Sequence, residues 1–274
     1  MTDIAAATGQ WRLTLTTFGA QIAREIRVLL RFPVNFLLRT LINPLMFVFV
    51  FTYVYPQIGA GGVGGVAGHN LATVALPGLV AAAILFQGLN AVALPLAMEF
   101  GASFEIHDRV LAPVPYSVTA LAKVVFSAIQ SVLAAVLVFL LAYVVPATPV
   151  DIHVASWPTL IIAVVLGSLL AGFIGLLLGT MIHVRHVAVV FSVTIVPLTF
   201  LGCVYYPWAS LDSIRWLQVL VLANPLVYGS EALRAALTPD LPHMNTVVSL
   251  SALAAATVLV GLAATRSFVR RVLL

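Results

Sequence analysis

Charge is what this sequence lacks most. Of its 274 residues, 8% are Asp, Glu, Lys or Arg, against 62% hydrophobic. A soluble domain needs roughly a quarter of its residues charged to cover its surface, so lipid must solvate much of this chain. The mean hydropathy of +1.13 agrees. Cysteine is nearly absent as well. Cys203 stands alone, which excludes an intramolecular disulfide. No basic stretch followed by an apolar core opens the chain, so "MTDIAAATGQWRLTLTTFG" is not expected to be a cleaved signal. Also missing are the phosphate-cradling GxxxxGK[ST] loop, a nucleophile motif and an intramembrane carboxylate pair. We therefore expect no catalytic residue and no cofactor in the chain itself. The net charge of +4 is a membrane protein's basic excess rather than a nucleic-acid surface, and no nucleic-acid partner is expected.

What is present is a series of long uncharged intervals. They run Thr40 to Met98, Val124 to Val150, Ile152 to Val184, His186 to Leu211 and Leu241 to Thr265. A bilayer core takes about 20 apolar residues as helix. The first interval therefore holds two spans, parted by the glycine-rich "GAGGVGGVAGHN" (59–70). The expected fold is an all-α membrane protein with six transmembrane helices, near 35–55, 71–98, 118–145, 157–182, 187–206 and 246–266. It divides into a segment 1–34 and a six-helix domain 35–274. With the N-terminus inside, one face carries Arg12, Arg24, Arg27, Arg31, Arg39, Arg109, Lys123, Arg185, Arg266, Arg270 and Arg271, and the other only Arg215 and Arg234. The positive-inside rule then puts both termini in the cytoplasm.

Ahead of the first span, Phe18, Ile22, Ile26 and Leu29 recur at helical spacing opposite Arg24, Arg27 and Arg31, and Pro33 ends the run. Such a helix lies along the inner leaflet, its arginines toward lipid headgroups or a protein partner. A second amphipathic helix is expected between spans two and three, in "FEIHDRVLAPVPY" (104–116). Phe100, Phe104 and Leu111 share one face, Glu105 and Arg109 form an i,i+4 pair on another, and Pro113 and Pro115 stop it before the third span. With His107 and Asp108 it forms a polar lever joined to two spans.

Gln87, Asn90, Ser127, Gln130 and Ser131 fall inside spans, where amides bond between helices or line a wet path. Gly167, Ala171, Gly175 and Gly179 form a ladder of small residues that admits a close helix neighbour, from this chain or another. Cys203 is expected near the outer end of span five, within reach of an outside thiol reagent if of any. "WLQVLVLANPLVYGS" (216–230) is too short to cross and broken at Asn224-Pro225, so it reads as an outer re-entrant or interfacial hairpin. Glu231 and Arg234 follow at helical spacing, as an expected pair on the outer surface. His183 and His186 stand three apart with no third ligand near, and no metal is expected.

The layout and several stretches resemble the permease subunits of type-2 ABC transporters, the daunorubicin-resistance, nodulation-export and polysaccharide-export group. "REIRVLLRFPVNFLLRTLINPLMFVFVFTYVY" is similar to the family's basic interfacial helix and first span, with Asn43-Pro44. "LPGLVAAAILFQG" resembles its second-span start, "FEIHDRVLAPVPYSVTALAKVV" its Glu-containing helix leading to a lysine, here Lys123, and "PWASLDSIRWLQVLVLANPLVYGSEALRAAL" its outer region. Where the family commonly has Gly-Thr ahead of the coupling glutamate, this chain has Ala102, Ser103 and Phe104. The resemblance implies half of an exporter in a bacterial-type inner membrane. A second permease, identical or not, would complete the path, and two cytoplasmic ATPase subunits would bind the ATP and Mg. Phe104, Glu105, His107, Asp108, Arg109 and Leu111 would couple to the ATPase. Gln87, Asn90 and Gln130 would face the path, and Asn224, Pro225, Glu231 and Arg234 would form an outer gate. Other classes are a membrane-embedded lipid or prenyl transferase, which needs acidic or nucleophilic clusters, and an ion-coupled transporter, which needs mid-membrane charge.

Overall fold

The computed structural model describes residues 2–31, 71–100, 116–144, 153–182 and 184–273, together with 34, 37, 38, 40, 42, 45, 46 and 49–54. Among these residues the chain is mainly helical, with no strand. We number the helices α1 (Thr2–Arg31), α2 (Leu71–Met98), α3 (Tyr116–Val144), α4 (Trp157–Met181), α5 (Val187–Phe200), α6 (Arg215–Leu220), α7 (Pro225–Leu237) and α8 (Thr246–Leu273).

Among the described residues four helices are long and apolar enough to cross a membrane: α2, α3, α4 and α8. Their starts and ends lie within two residues of the expected spans, except that α8 continues to Leu273, past the expected end at 266. The expected fifth span is shorter than its interval. Helix α5 has 14 residues and stops at Phe200, where the chain turns through Cys203 with φ of 52°. That left-handed backbone ends a helix. The first expected span falls largely outside the described residues; its far end is a π-helical turn, Val50–Val54.

Helix α4 is the hub of the bundle, packing on α2, α3, α7 and α8. Its start is fixed by Ser156, whose Oγ accepts from the backbone N–H of Thr159 at 3.4 Å, with Pro158 in the first turn. The small-residue ladder faces α2 of the same chain. A Cβ at Gly175 would sit 3.1 Å from the carbonyl oxygen of Gly88, and one at Gly179 would sit 2.9 Å from that of Ala93. Ala171 meets Gly88 so closely that a Cβ there would lie 2.4 Å from its own. In lipid, where no hydrophobic force draws helices together, this close approach supplies the dispersion contacts that do.

Helix α2 is consequently the most buried of the four long helices. The main core lies where Leu79, Val80, Leu85 and Leu89 of α2 meet Ala171 of α4 and Leu233 and Leu237 of α7. Pro77 and Pro95 lie inside α2, which helices packed by neighbours tolerate.

Helix α1 begins at Thr2, well before the amphipathic stretch expected from the sequence. Arg24, Arg27 and Arg31 are exposed, and Phe18, Ile22, Ile26 and Leu29 are half-buried. The helix rests on α3, and Gln21 Nε2 donates to Thr119 Oγ1 at 3.3 Å.

Candidate functional site

The bundle has two chemically distinct ends. At one lie the start of α3 and the finishing ends of α2, α4 and α8. Lys123 Nζ meets Glu99 Oε1 at 2.8 Å, and Arg271 donates to the carbonyl oxygen of Thr180 while stacking 4.9 Å from the centre of the Phe100 ring. This is the basic end, which α1 also joins. The six residues expected to couple, Phe104, Glu105, His107, Asp108, Arg109 and Leu111, lie outside the described residues, between its α2 and α3. Their flanks, Glu99 and Lys123, are described and paired. An acid closing one helix and a lysine opening the antiparallel next one stand at the same level, which is the signal that could have joined them.

The opposite end is built on α7. Asn224 caps this helix. Its Oδ1 accepts from the N–H of Leu226 at 3.0 Å, and its Nδ2 donates to the carbonyl of Leu198 at 2.7 Å, one of the orphan carbonyls at the end of α5. Pro225 follows at the first helical position, where its missing N–H costs nothing. The break expected at Asn224-Pro225 thus separates α6 from α7. Helix α6 leaves Trp216, Val219 and Leu220 exposed, whereas α7 is buried almost throughout.

Glu231 and Arg234 are both fully buried and paired. The expected outer-surface pair is therefore corrected: the two bond to each other, but inside. The reason is the backbone around them. One Glu231 oxygen accepts from the N–H of Trp208 at 2.9 Å, and the other accepts from the N–H of Met244 at 2.8 Å. Arg234 Nη2 donates to the carbonyl of Cys203 at 3.0 Å, and Ser230 Oγ donates to that of Gly202 at 2.8 Å. One face of α7 thereby ties the α5 exit turn, the following loop and the lead into α8. Buried backbone groups in an irregular segment need such partners. Gly202, Cys203, Trp208 and Met244 take part through main-chain atoms, which leave no trace in a sequence. Cys203 itself is fully buried, so an outside reagent, expected to reach it if any did, meets no exposed thiol.

Between the two ends, the amides form a chain. Thr40 Oγ1 donates to Gln87 Oε1 at 3.0 Å, and Gln87 Nε2 donates to Gln130 Oε1 at 2.8 Å. All three are buried, so the first expected span is bonded to α2 and α3 at this level. Ser127 Oγ likewise donates to the Gly88 carbonyl at 3.1 Å. Asn90 is half-buried and donates to the Phe86 carbonyl of its own helix at 2.8 Å. An apolar cavity of about 20 Å³ lies between α2, α4, α7 and α8, lined by Ile84, Leu85, Leu170, Leu226 and Leu233 among others. It is large enough for one water, yet too apolar to hold it.

Among the described residues, no three His, Cys, Asp or Glu side chains gather where they could hold a metal ion. His186 is exposed beside Arg185; His183 is outside the described residues.

Comparison with known proteins agrees in kind. No curated protein sequence matches the chain. The family model described as ABC-2 type transporter matches residues 16–238, which take in α2 to α7 and the buried ion pair. The chain belongs to the ABC-2 type transporter family.

Proposed function

We propose that this chain forms one half of the translocation path of an ATP-driven exporter for a hydrophobic or amphiphilic substrate, such as a drug, a lipid or a lipid-linked glycan. That it is a multi-pass transmembrane subunit of an ABC-type transporter follows from the family and the apolar helices. The single observation that supports the rest is the family match; ATP is hydrolysed by a separate subunit. The basic end faces the cytoplasm and a partner ATPase, which docks on the segment holding Glu105, Asp108 and Arg109. Its push enters the bundle where Lys123 and Glu99 join α3 to α2, and where α1 rests on α3.

At the opposite end the hairpin of α6 and α7 dips into the outer leaflet, and Asn224 and Pro225 form its tip. Supporting this reading, α6 is too short to cross and shows an apolar surface. Glu231 and Arg234 hold the base of the gate, so that α6 moves while α7 stays fixed. A second permease, identical or homologous, supplies the other half. Asn90 faces the path, and Gln87 and Gln130 hold its wall together.

The test is reconstitution. The purified chain should hydrolyse no ATP, and should confer export on vesicles only when assembled with a cytoplasmic ATPase. Robust turnover by the isolated, contaminant-free chain would overturn the assignment.

A further inference from the structure

At the basic end an open groove of about 850 Å³ separates the last turns of α4 and α8, lined by Leu177, Met181, Ala263, Arg266, Ser267 and Arg270, with Arg271 at its edge. Arg271 is occupied, by the Thr180 carbonyl and the Phe100 ring. Arg266 and Arg270 are exposed, one turn apart on the same stripe, and neither pairs with a carboxylate among the described residues. Like charges at this spacing repel, so the groove calls for an anion. Directly above, the same stripe of α8 turns apolar: Leu262 is 52% and Leu259 68% exposed, and Met181 of α4 is 66% exposed. The order along the helix is acyl-compatible surface, then cations, within about three turns. In a membrane this apolar stripe already lies against acyl chains, so the anion that reaches the two arginines beside it is a lipid headgroup.

We propose that this groove binds the phosphate headgroup of an anionic phospholipid, its acyl chains lying against Leu262 and Leu259. The inference rests only on the chain being embedded in a membrane, not on what it transports.

The test counts lipid bound to the full-length chain by native mass spectrometry after incubation with phosphatidylglycerol or phosphatidylcholine. The wild type should retain phosphatidylglycerol selectively. Arg266→Gln with Arg270→Gln should lower that retention about thirtyfold, the loss of two arginine charges that face the headgroup. Arg266→Lys with Arg270→Lys should keep most of it. Ala263→Trp, which fills the groove without touching charge, should lower it severalfold. Millimolar glycerol 3-phosphate should displace little lipid. Equal retention of the two lipids by the wild type would overturn the proposal, as would unchanged retention by the double Gln and Trp variants. Displacement by glycerol 3-phosphate would make this a soluble-anion site instead. Loss of ATPase co-purification with lipid retention unchanged would make it a protein contact.

Discussion

Arg234 donates from Nη2 to the carbonyl oxygen of Cys203 across 3.0 Å, and Cys203 is the one non-glycine residue with positive φ among those described. The left-handed turn that ends α5 is thus held by a cation from α7. Its other side is held by absence. The turn's next residue, Val204, lies against Gly78 of α2, where a Cβ would come 2.0 Å from the Val204 carbonyl oxygen. The turn is clamped between a charge and a missing side chain.

The clamp makes the ion pair costly to break. Arg234→Met leaves Glu231 charged and buried, at a cost of about 3–5 kcal/mol. Adding Glu231→Gln should recover part of that, because the buried charge is gone while an amide oxygen still accepts one backbone N–H. Thermal unfolding of the single and double variants in detergent checks this. Fully additive losses would show that the two side chains are not energetically coupled.

Cys203 should be inert in the folded protein. Its thiol is fully buried, so a maleimide should label it on neither side of intact membranes and stoichiometrically after denaturation. In a Cys203→Ser background, Arg185→Cys and Ser213→Cys place thiols at exposed positions. The charge distribution predicts labelling of the first from the cytoplasm and of the second from outside. The reverse pattern would invert the topology.

Glycine substitutions should separate sharply. Gly229→Ala meets nothing within 4 Å and should change melting by no more than a degree or two. Gly78→Ala drives a methyl into backbone and should abolish the fold. Gly88→Ala collides with the Cβ of Ala171 at 2.4 Å, and Ala171→Gly should partly rescue it. Absence of rescue would place the ladder's contact elsewhere.

Leu220→Asp with Leu222→Asp tests the hairpin as a gate. Charges at membrane depth cost roughly 2–3 kcal/mol each near the bilayer centre and less toward the surface. The α6 arm should shift outward, raising basal ATPase activity of the assembled complex and leaving export poorly coupled. Assembly should survive, because the basic end is untouched. Wild-type export and basal activity in the assembled variant would show that the hairpin does not gate.

By itself the sequence determined the membrane class, four of the long helices to within a few residues except at the far end of α8, the amphipathic character of α1 and the break at Asn224-Pro225. These are local properties: a hydropathy run, a 3.6-residue stripe or a cap is complete within some twenty neighbouring positions. Only the tertiary structure decided who meets whom. The ladder of Gly167, Ala171, Gly175 and Gly179 is visible as a face, but nothing in α4 says that the face belongs to α2. Gln87 and Gln130 are each an intramembrane amide until they are found 2.8 Å apart. Glu231 and Arg234 read as a surface pair because helical spacing shows that two residues are neighbours, not which way their shared face points. That direction goes with the main-chain groups of Cys203, Trp208 and Met244, which the buried acid and base satisfy.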